Sequence, residues 1–272
     1  MARLADAIAP AAEELARQVA ATGVSAEQFW SHLIALAAEI DGNRELAETA
    51  VRKTLHSGVV PDAPIAALVG SISDAEAAFH AATPNLLDQL ELRSGPLIEQ
   101  WNARGPGIFT RLTAITERTL AVESADVVLV YPALGGCGVA HLPYNSVRIE
   151  AVLANPVAEI PEVVRLAWLI AQLNIDLPRF SERINHDQLL PVAALAMIPP
   201  VLLAAEYVEL CEYDTATIQL ALDHWNMNSC TTDNTAQILM DWWATYADSR
   251  PDWHIAFESL AEMVGGVGTS GV

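Results

Sequence analysis

A cysteine and a histidine stand four residues apart in a glycine-rich stretch, where Cys137 follows Gly135-Gly136 and His141 lies beyond Gly138. A nucleophilic thiol needs a base close by and a positive environment that lowers its pKa. Asn145 could orient the imidazole, but the sequence identifies neither an oxyanion donor nor an orienting acid. The same stretch lacks the lysine and the serine or threonine of a phosphate-binding loop. A hydrolase that uses Cys137 and His141 is therefore an alternative, and a glycine-rich connection with an incidental cysteine is favoured.

The histidines and cysteines do not have the spacing of metal ligands. No two of the seven histidines are three or four residues apart, and the three cysteines lie far from one another at positions 137, 211 and 230. Imidazoles share a helix face only at such a spacing, and structural zinc sites use closely spaced cysteines. We therefore expect no metal and no cofactor. The separated cysteines also predict free thiols in a reducing compartment, the cytoplasm.

The composition is apolar and strongly acidic. Of 272 residues, 52% are hydrophobic, and 34 acidic residues against 14 basic ones give a formal net charge of −20. Such a chain can bury a sizeable core, but it repels nucleic-acid phosphates and anionic membrane surfaces. Between Leu189 and Ala205 no residue is charged, yet Pro191, Pro199 and Pro200 interrupt the run. We therefore predict a buried core helix there, and no nucleic-acid or membrane partner.

The chain divides into three regions with different patterns. Residues 1–94 have the apolar periodicity of helices, residues 95–263 combine helices with two short strands, and residues 264–272 form a tail that we expect to be flexible. A continuous apolar, β-branched run predicts one strand over 126–131, and alternation predicts the other over 147–153. The two strands flank the glycine-rich stretch, which predicts a hairpin. The expected fold class is α+β, predominantly helical, with a small sheet flanked by helices.

The order of elements in the second region ends in an apolar helix over 161–173, and a later helix carries Glu206. Before them come a helix, a buried strand, the glycine-rich connection, an alternating strand and an acidic, proline-containing loop. This order resembles the zincin metallopeptidases, whose active-site helix bears an HExxH motif in which two histidines hold zinc and the glutamate polarises its water. At the matching positions this chain has Trp168 for the first histidine, Leu169 for the glutamate and Gln172 for the second histidine.

The resemblance implies a zincin-like core without zincin chemistry. An indole N–H can only donate, leucine cannot take a proton, and a glutamine oxygen is a weak neutral ligand. Glu206 stands where glutamate zincins have their third ligand, although the sequence alone does not choose between it and Glu209. The residues that we expect to line the degenerate cleft are Trp168, Gln172 and Glu206, with Tyr144 and His141 from the side of the hairpin.

The favoured function is that of a non-catalytic cytoplasmic protein that binds a protein partner or a small ligand in this cleft. The missing motif argues against an enzyme, and a metal site that the spacing does not reveal would restore the hydrolase alternative. A helical scaffold or oligomeric adaptor is the third interpretation, in which the first 90 residues mediate assembly. A homo-oligomer fits the high apolar content and the charged fraction of only 18%.

Overall fold

A computed structural model of the protein describes residues 2–55, 62–132, 135–225, 227 and 234–265. Helices dominate, and the strands form one small sheet, which confirms the α+β class. The helices are α1 Ala2–Ala21, α2 Ala26–Leu36, α3 Asn43–Leu55, α4 Asp62–Ala82, α5 Leu86–Ile115, α6 Glu162–Ala171, α7 Pro178–Ser181, α8 His186–Ala196, α9 Ile198–Tyr207, α10 Thr215–His224, α11 Thr235–Ser249 and α12 Trp253–Gly265. The strands are β1 Asp126–Val130, β2 Gly138–His141 and β3 Ser146–Glu150, and 3-10 turns cover Arg118–Leu120 and Leu142–Tyr144.

The chain forms two compact units, Met1–Gln89 and Leu90–Val272, and the boundary falls inside α5. The predicted division between residues 94 and 95 lies in the same helix. In the first unit α1 packs against α4, and α3 packs against α2 and α4. The predicted tail, residues 264–272, lies outside the described residues except for the last two positions of α12.

The sheet has the strand order β1-β3-β2, with β1 parallel and β2 antiparallel to the central strand. The predicted hairpin, which would join β1 directly to β3, is therefore wrong, because parallel neighbours cannot be joined by a tight turn. An additional strand, β2, lies within the predicted connection. It escaped prediction because Gly138-Val-Ala-His141 is too short to display alternation.

Helix α6 lies at the centre of the second unit and packs on β2, β3 and α9. All ten of its residues are buried, including the charged Glu162 and Arg165, so the helix is enclosed on every side by the core. Its start after Pro161 confirms the predicted helix over 161–173. Gly138 makes the contact with the sheet possible, because a Cβ at that position would stand 2.5 Å from Leu169 Cδ1.

The uncharged run of the second unit forms two consecutive helices, α8 and α9, which meet at Met197. The stretch Gln188–Tyr207 is long and apolar enough to cross a membrane, but 72% of its most apolar window is buried inside the protein. Burial of that kind is typical of a core helix, as predicted.

Candidate functional site

Trp168 lies in the middle of α6 with only 3% of its surface exposed. Its indole ring stacks on Trp225, with 4.7 Å between ring centroids and an interplanar angle of 29°. The indole Nε1–H donates to the backbone oxygen of Ala194 in α8 at 2.7 Å. The indole N–H is therefore hydrogen-bonded within the core. The sequence predicted instead that Trp168 faces a cleft.

The other two positions that the sequence-based prediction matched to the zincin motif are buried in the same way. Leu169 is 1% exposed and packs against β2 at Gly138. Gln172 is 4% exposed, and its Nε2 donates to the backbone oxygen of Trp168 at 3.0 Å. These positions are therefore closely packed and do not form the expected open cleft. Leu169 packs against the sheet, and the polar groups of Trp168 and Gln172 donate hydrogen bonds to buried backbone oxygens.

Glu206 lies in the last turn of α9 and is exposed. Its Oε1 accepts a hydrogen bond from the backbone N–H of Tyr213 at 2.9 Å, which ties down the turn that follows the helix. Burial, reinforced by the Glu206 charge, raises the pKa of the nearby Cys211 thiol to about 12. Glu206 therefore helps to hold this turn. With its raised pKa, the Cys211 thiol is protonated at neutral pH.

His141 and Tyr144 are half-buried at the end of β2 and in the 3-10 turn after it. The His141 Nε2 atom is buried without a hydrogen-bond partner in the described part of the chain. Burial and the neighbouring Arg148 charge lower the pKa of His141 to about 4, so that the imidazole is neutral at physiological pH.

Cys137 and His141 do not form the thiol–imidazole pair of the alternative hydrolase. Cys137 immediately precedes β2 and His141 is its last residue, and four steps along an extended chain place their Cα atoms about 13 Å apart. The glycine-rich loop instead holds an internal anion. The Glu150 carboxylate accepts from the backbone N–H groups of Gly136 at 2.7 Å and Cys137 at 3.1 Å. The loop thus uses successive N–H groups as an anion nest, and a side chain of the protein itself fills it.

A buried ionic cluster, formed by Glu150, Glu162 and Arg165, lies at the start of α6. Arg165 is 1% exposed, and its Nη2 donates to Glu162 Oε2 in a short contact. Its Nε and Nη1 atoms are buried without a partner in the described part of the chain. Glu150 and Glu162 both line a cavity of about 20 Å³, which has the size of a single water molecule. None of these three residues was predicted as a site residue, although Glu162 and Arg165 are three positions apart and therefore share one face of the helix.

The pKa of Glu162 is raised from its ordinary value of 4.5, chiefly by burial and also by the Glu150 charge, while Arg165 opposes the shift. The folded protein therefore holds this proton more tightly than the unfolded chain. The contribution of Glu162 to stability is complete below pH 4.5 and is lost as the pH rises through the folded-state pKa.

We therefore expect Glu162→Gln, which cannot titrate, to gain stability relative to the wild type as the pH rises from 4.5 towards neutrality. The measurement is urea unfolding of both proteins over that pH range, with the difference in free energy of unfolding plotted against pH. A difference that stays constant, or that changes in the opposite direction, would contradict the assignment.

A much larger cavity, of about 710 Å³, lies between α5, the segment 118–124 that leads into β1, and Asn145 and Asn174. Neither cavity is lined by any of the five residues that were predicted to line a cleft.

Among the described residues, no group of three or more His, Cys, Asp or Glu side chains could hold a metal ion. Comparisons with protein-family models, curated proteins and solved structures find no match to this chain.

Proposed function

We propose that this protein is a non-catalytic binding protein with a zincin-like core, in which the position of the metal site has become part of the hydrophobic core. The observation that carries the proposal is the burial of Trp168, whose ring stacks on Trp225 and whose N–H is used by Ala194. An indole in that setting has no lone pair for a metal and no free donor for a substrate.

The sequence of elements supports the zincin-like core. Three strands precede the buried helix α6, and α9, which carries Glu206, packs against α6. In a working zincin the corresponding glutamate would face the metal, whereas here its carboxylate accepts from Tyr213. The base position holds Leu169, so no side chain there can take a proton from water.

The binding role is supported by the 710 Å³ cavity, whose volume lies in the range of about 300–1,000 Å³ of small-molecule sites. A small ligand is therefore the favoured occupant, and a protein partner is the other form of the proposal. Within the described part of the chain Cys137 and Cys211 are free thiols, and these thiols and the burial of the long apolar stretch agree with a cytoplasmic protein.

The first test is the metal content of protein purified without chelators or metal-affinity columns, together with hydrolysis of a peptide library in the presence of added zinc. We expect no stoichiometric zinc and no hydrolysis, because the ligands and the base are absent. Near-stoichiometric zinc or zinc-dependent hydrolysis would overturn the proposal.

The zincin-like core has its own test. The variant Trp168→His/Leu169→Glu/Gln172→His restores the motif, and we expect it to bind zinc with Glu206 as third ligand. Adding Glu206→Ala should then weaken zinc binding by about 10-fold or more. Loss of a residue that only hydrogen-bonds a metal ligand already has an effect of that size, and loss of a ligand itself should have at least as large an effect. Glu209→Ala is the matched control, since it removes the alternative carboxylate. Circular dichroism must first establish that the triple variant is folded, and equal zinc affinities in the two quadruple variants would contradict the core.

A further inference from the structure

We propose that the 710 Å³ cavity binds a small zwitterion with a free ammonium and a free carboxylate group, either an amino acid or an unblocked short peptide. The inference rests on the proposed binding function and gives it a site and a ligand class. It uses none of the residues of the degenerate motif.

The walls of the cavity are fixed by hydrogen bonds within the second unit. Asn145, which has left-handed backbone dihedrals, donates from Nδ2 to the backbone oxygen of Ser124 at 2.8 Å. Asn174, beyond the end of α6, donates from Nδ2 to the backbone oxygen of Thr119 at 3.0 Å. These two bonds hold both ends of the segment 118–124 against the rest of the unit. A cavity with fixed walls binds a ligand without the cost of ordering a loop.

Two opposite charges line the same cavity without neutralising each other. Arg118 and Glu123 are both exposed, and neither takes part in an ion pair among the described residues. A guanidinium group binds a carboxylate through two parallel hydrogen bonds, and a carboxylate binds an ammonium group. One ligand that carries both groups would therefore satisfy both side chains.

The two asparagines of the cavity keep hydrogen-bonding groups for a ligand. Asn145 and Asn174 each use one of their two carboxamide N–H groups on the backbone, which leaves one N–H donor and the Oδ1 acceptor of each side chain. The Thr113 hydroxyl donates to backbone oxygens of α5 at 3.0 Å, so it too remains an acceptor towards the cavity. Phe109 supplies an apolar wall for a side chain of the ligand.

Other ligand classes fit less well. A polyanion such as a nucleotide would meet a single arginine, Arg118, within a protein of net charge −20. A purely cationic ligand would be attracted by the protein as a whole but would leave Arg118 without a counter-charge. A zwitterion avoids both penalties, and the volume admits anything from an amino acid to a short peptide.

The test is isothermal titration calorimetry of the full chain with the standard amino acids, and with alanine peptides of two and three residues. Each ligand is compared with its N-acetylated and its C-amidated form. We expect heat of binding for unblocked ligands and loss of affinity when either end is blocked. Binding by amino acids alone identifies a free amino acid as the ligand, and tighter binding by the peptides identifies a peptide.

The variants Arg118→Gln and Glu123→Gln should each weaken binding about tenfold, which is the effect of one charge-assisted hydrogen bond. Amidation should cause no further loss in Arg118→Gln, and acetylation none in Glu123→Gln. Arg104→Gln and Glu99→Gln make the same changes of net charge on exposed parts of α5 and should bind like the wild type.

Two results would overturn the zwitterion site: no binding at millimolar concentrations of any ligand in the set, or equal affinities for blocked and unblocked ligands. Either result leaves the absence of zinc and of hydrolysis untouched. Failure of the site is therefore distinguishable from failure of the non-catalytic part of the proposed function, which the zinc and hydrolysis measurements decide.

Discussion

Replacement of Trp168 by alanine is expected to lower the free energy of unfolding by about 3–5 kcal/mol, the usual effect of removing a buried aromatic side chain. The indole is almost fully buried, stacks on Trp225, and donates to Ala194. The variant loses the apolar burial, leaves a cavity beside Trp225, and removes the donor for a buried carbonyl. Since small proteins are stable by only about 5–15 kcal/mol, such a loss is a large part of the total.

Urea unfolding of two further variants separates the causes. Trp168→Phe keeps an aromatic ring but removes the N–H, so we expect a smaller loss, near the value of about 1–3 kcal/mol for a buried unpaired acceptor. Leu190→Ala is a control on α8, where the side chain is 55% exposed, and should change the stability by about 0.5 kcal/mol or less. If Trp168→Ala cost as little as this control, the indole would lie in an open cleft, and the proposed conversion of the site into core would fail.

The elements that the sequence predicted correctly are those whose pattern is local and long enough to read. The apolar run at Asp126 gives β1, the alternation from Val147 gives β3, and Pro161 followed by an apolar stretch gives α6. In each case the backbone state follows from neighbouring residues, so no distant contact is needed to infer it. The predicted burial of β1 is wrong, because this strand lies at an edge of the sheet and none of its five residues is buried.

The topology of the sheet could not be predicted in the same way. A strand of four residues, β2, pairs with the central strand and packs at Gly138 against Leu169, which is distant in sequence. Because β2 lies between β1 and β3 in the chain and runs antiparallel to β3, it allows β3 to pair parallel to β1. The fate of Trp168 likewise depends on Trp225, more than fifty positions away in the chain, whose position the sequence does not specify.

The candidate ligand site could not be predicted from the sequence for a related reason. Arg118 and Glu123 belong to an irregular segment without a motif, and Asn145 and Asn174 reach it from two other parts of the chain. Only the fold brings them to one cavity. The opposite holds for the ionic cluster, because Glu162 and Arg165 share a helix face at a spacing that can be read directly.

That cluster gives the second large effect, since Arg165→Met is expected to destabilise the protein by about 3–5 kcal/mol. Removing the guanidinium leaves the Glu162 carboxylate buried without its counter-charge and next to the Glu150 charge. Arg183→Met is the matched control, because Arg183 pairs with Glu258 where both side chains are more than a third exposed. Such a pair contributes about 1 kcal/mol or less, so the control variant should unfold almost as the wild type does.

The double variant Glu162→Leu/Arg165→Met decides whether the pair contributes net stability or only requires that both partners be present. The Nε and Nη1 atoms of Arg165 have no partner among the described residues, so part of the cost of burying this charge is not offset. The backbone N–H of Glu162 donates to Asn155 Oδ1 at the start of the helix, and neither substitution removes a group of this hydrogen bond. We therefore expect the double variant to recover most of the loss, because replacing both members of a buried pair with apolar residues is often neutral or stabilising. A double variant as unstable as Arg165→Met alone would mean that the charges themselves hold the start of α6 in place.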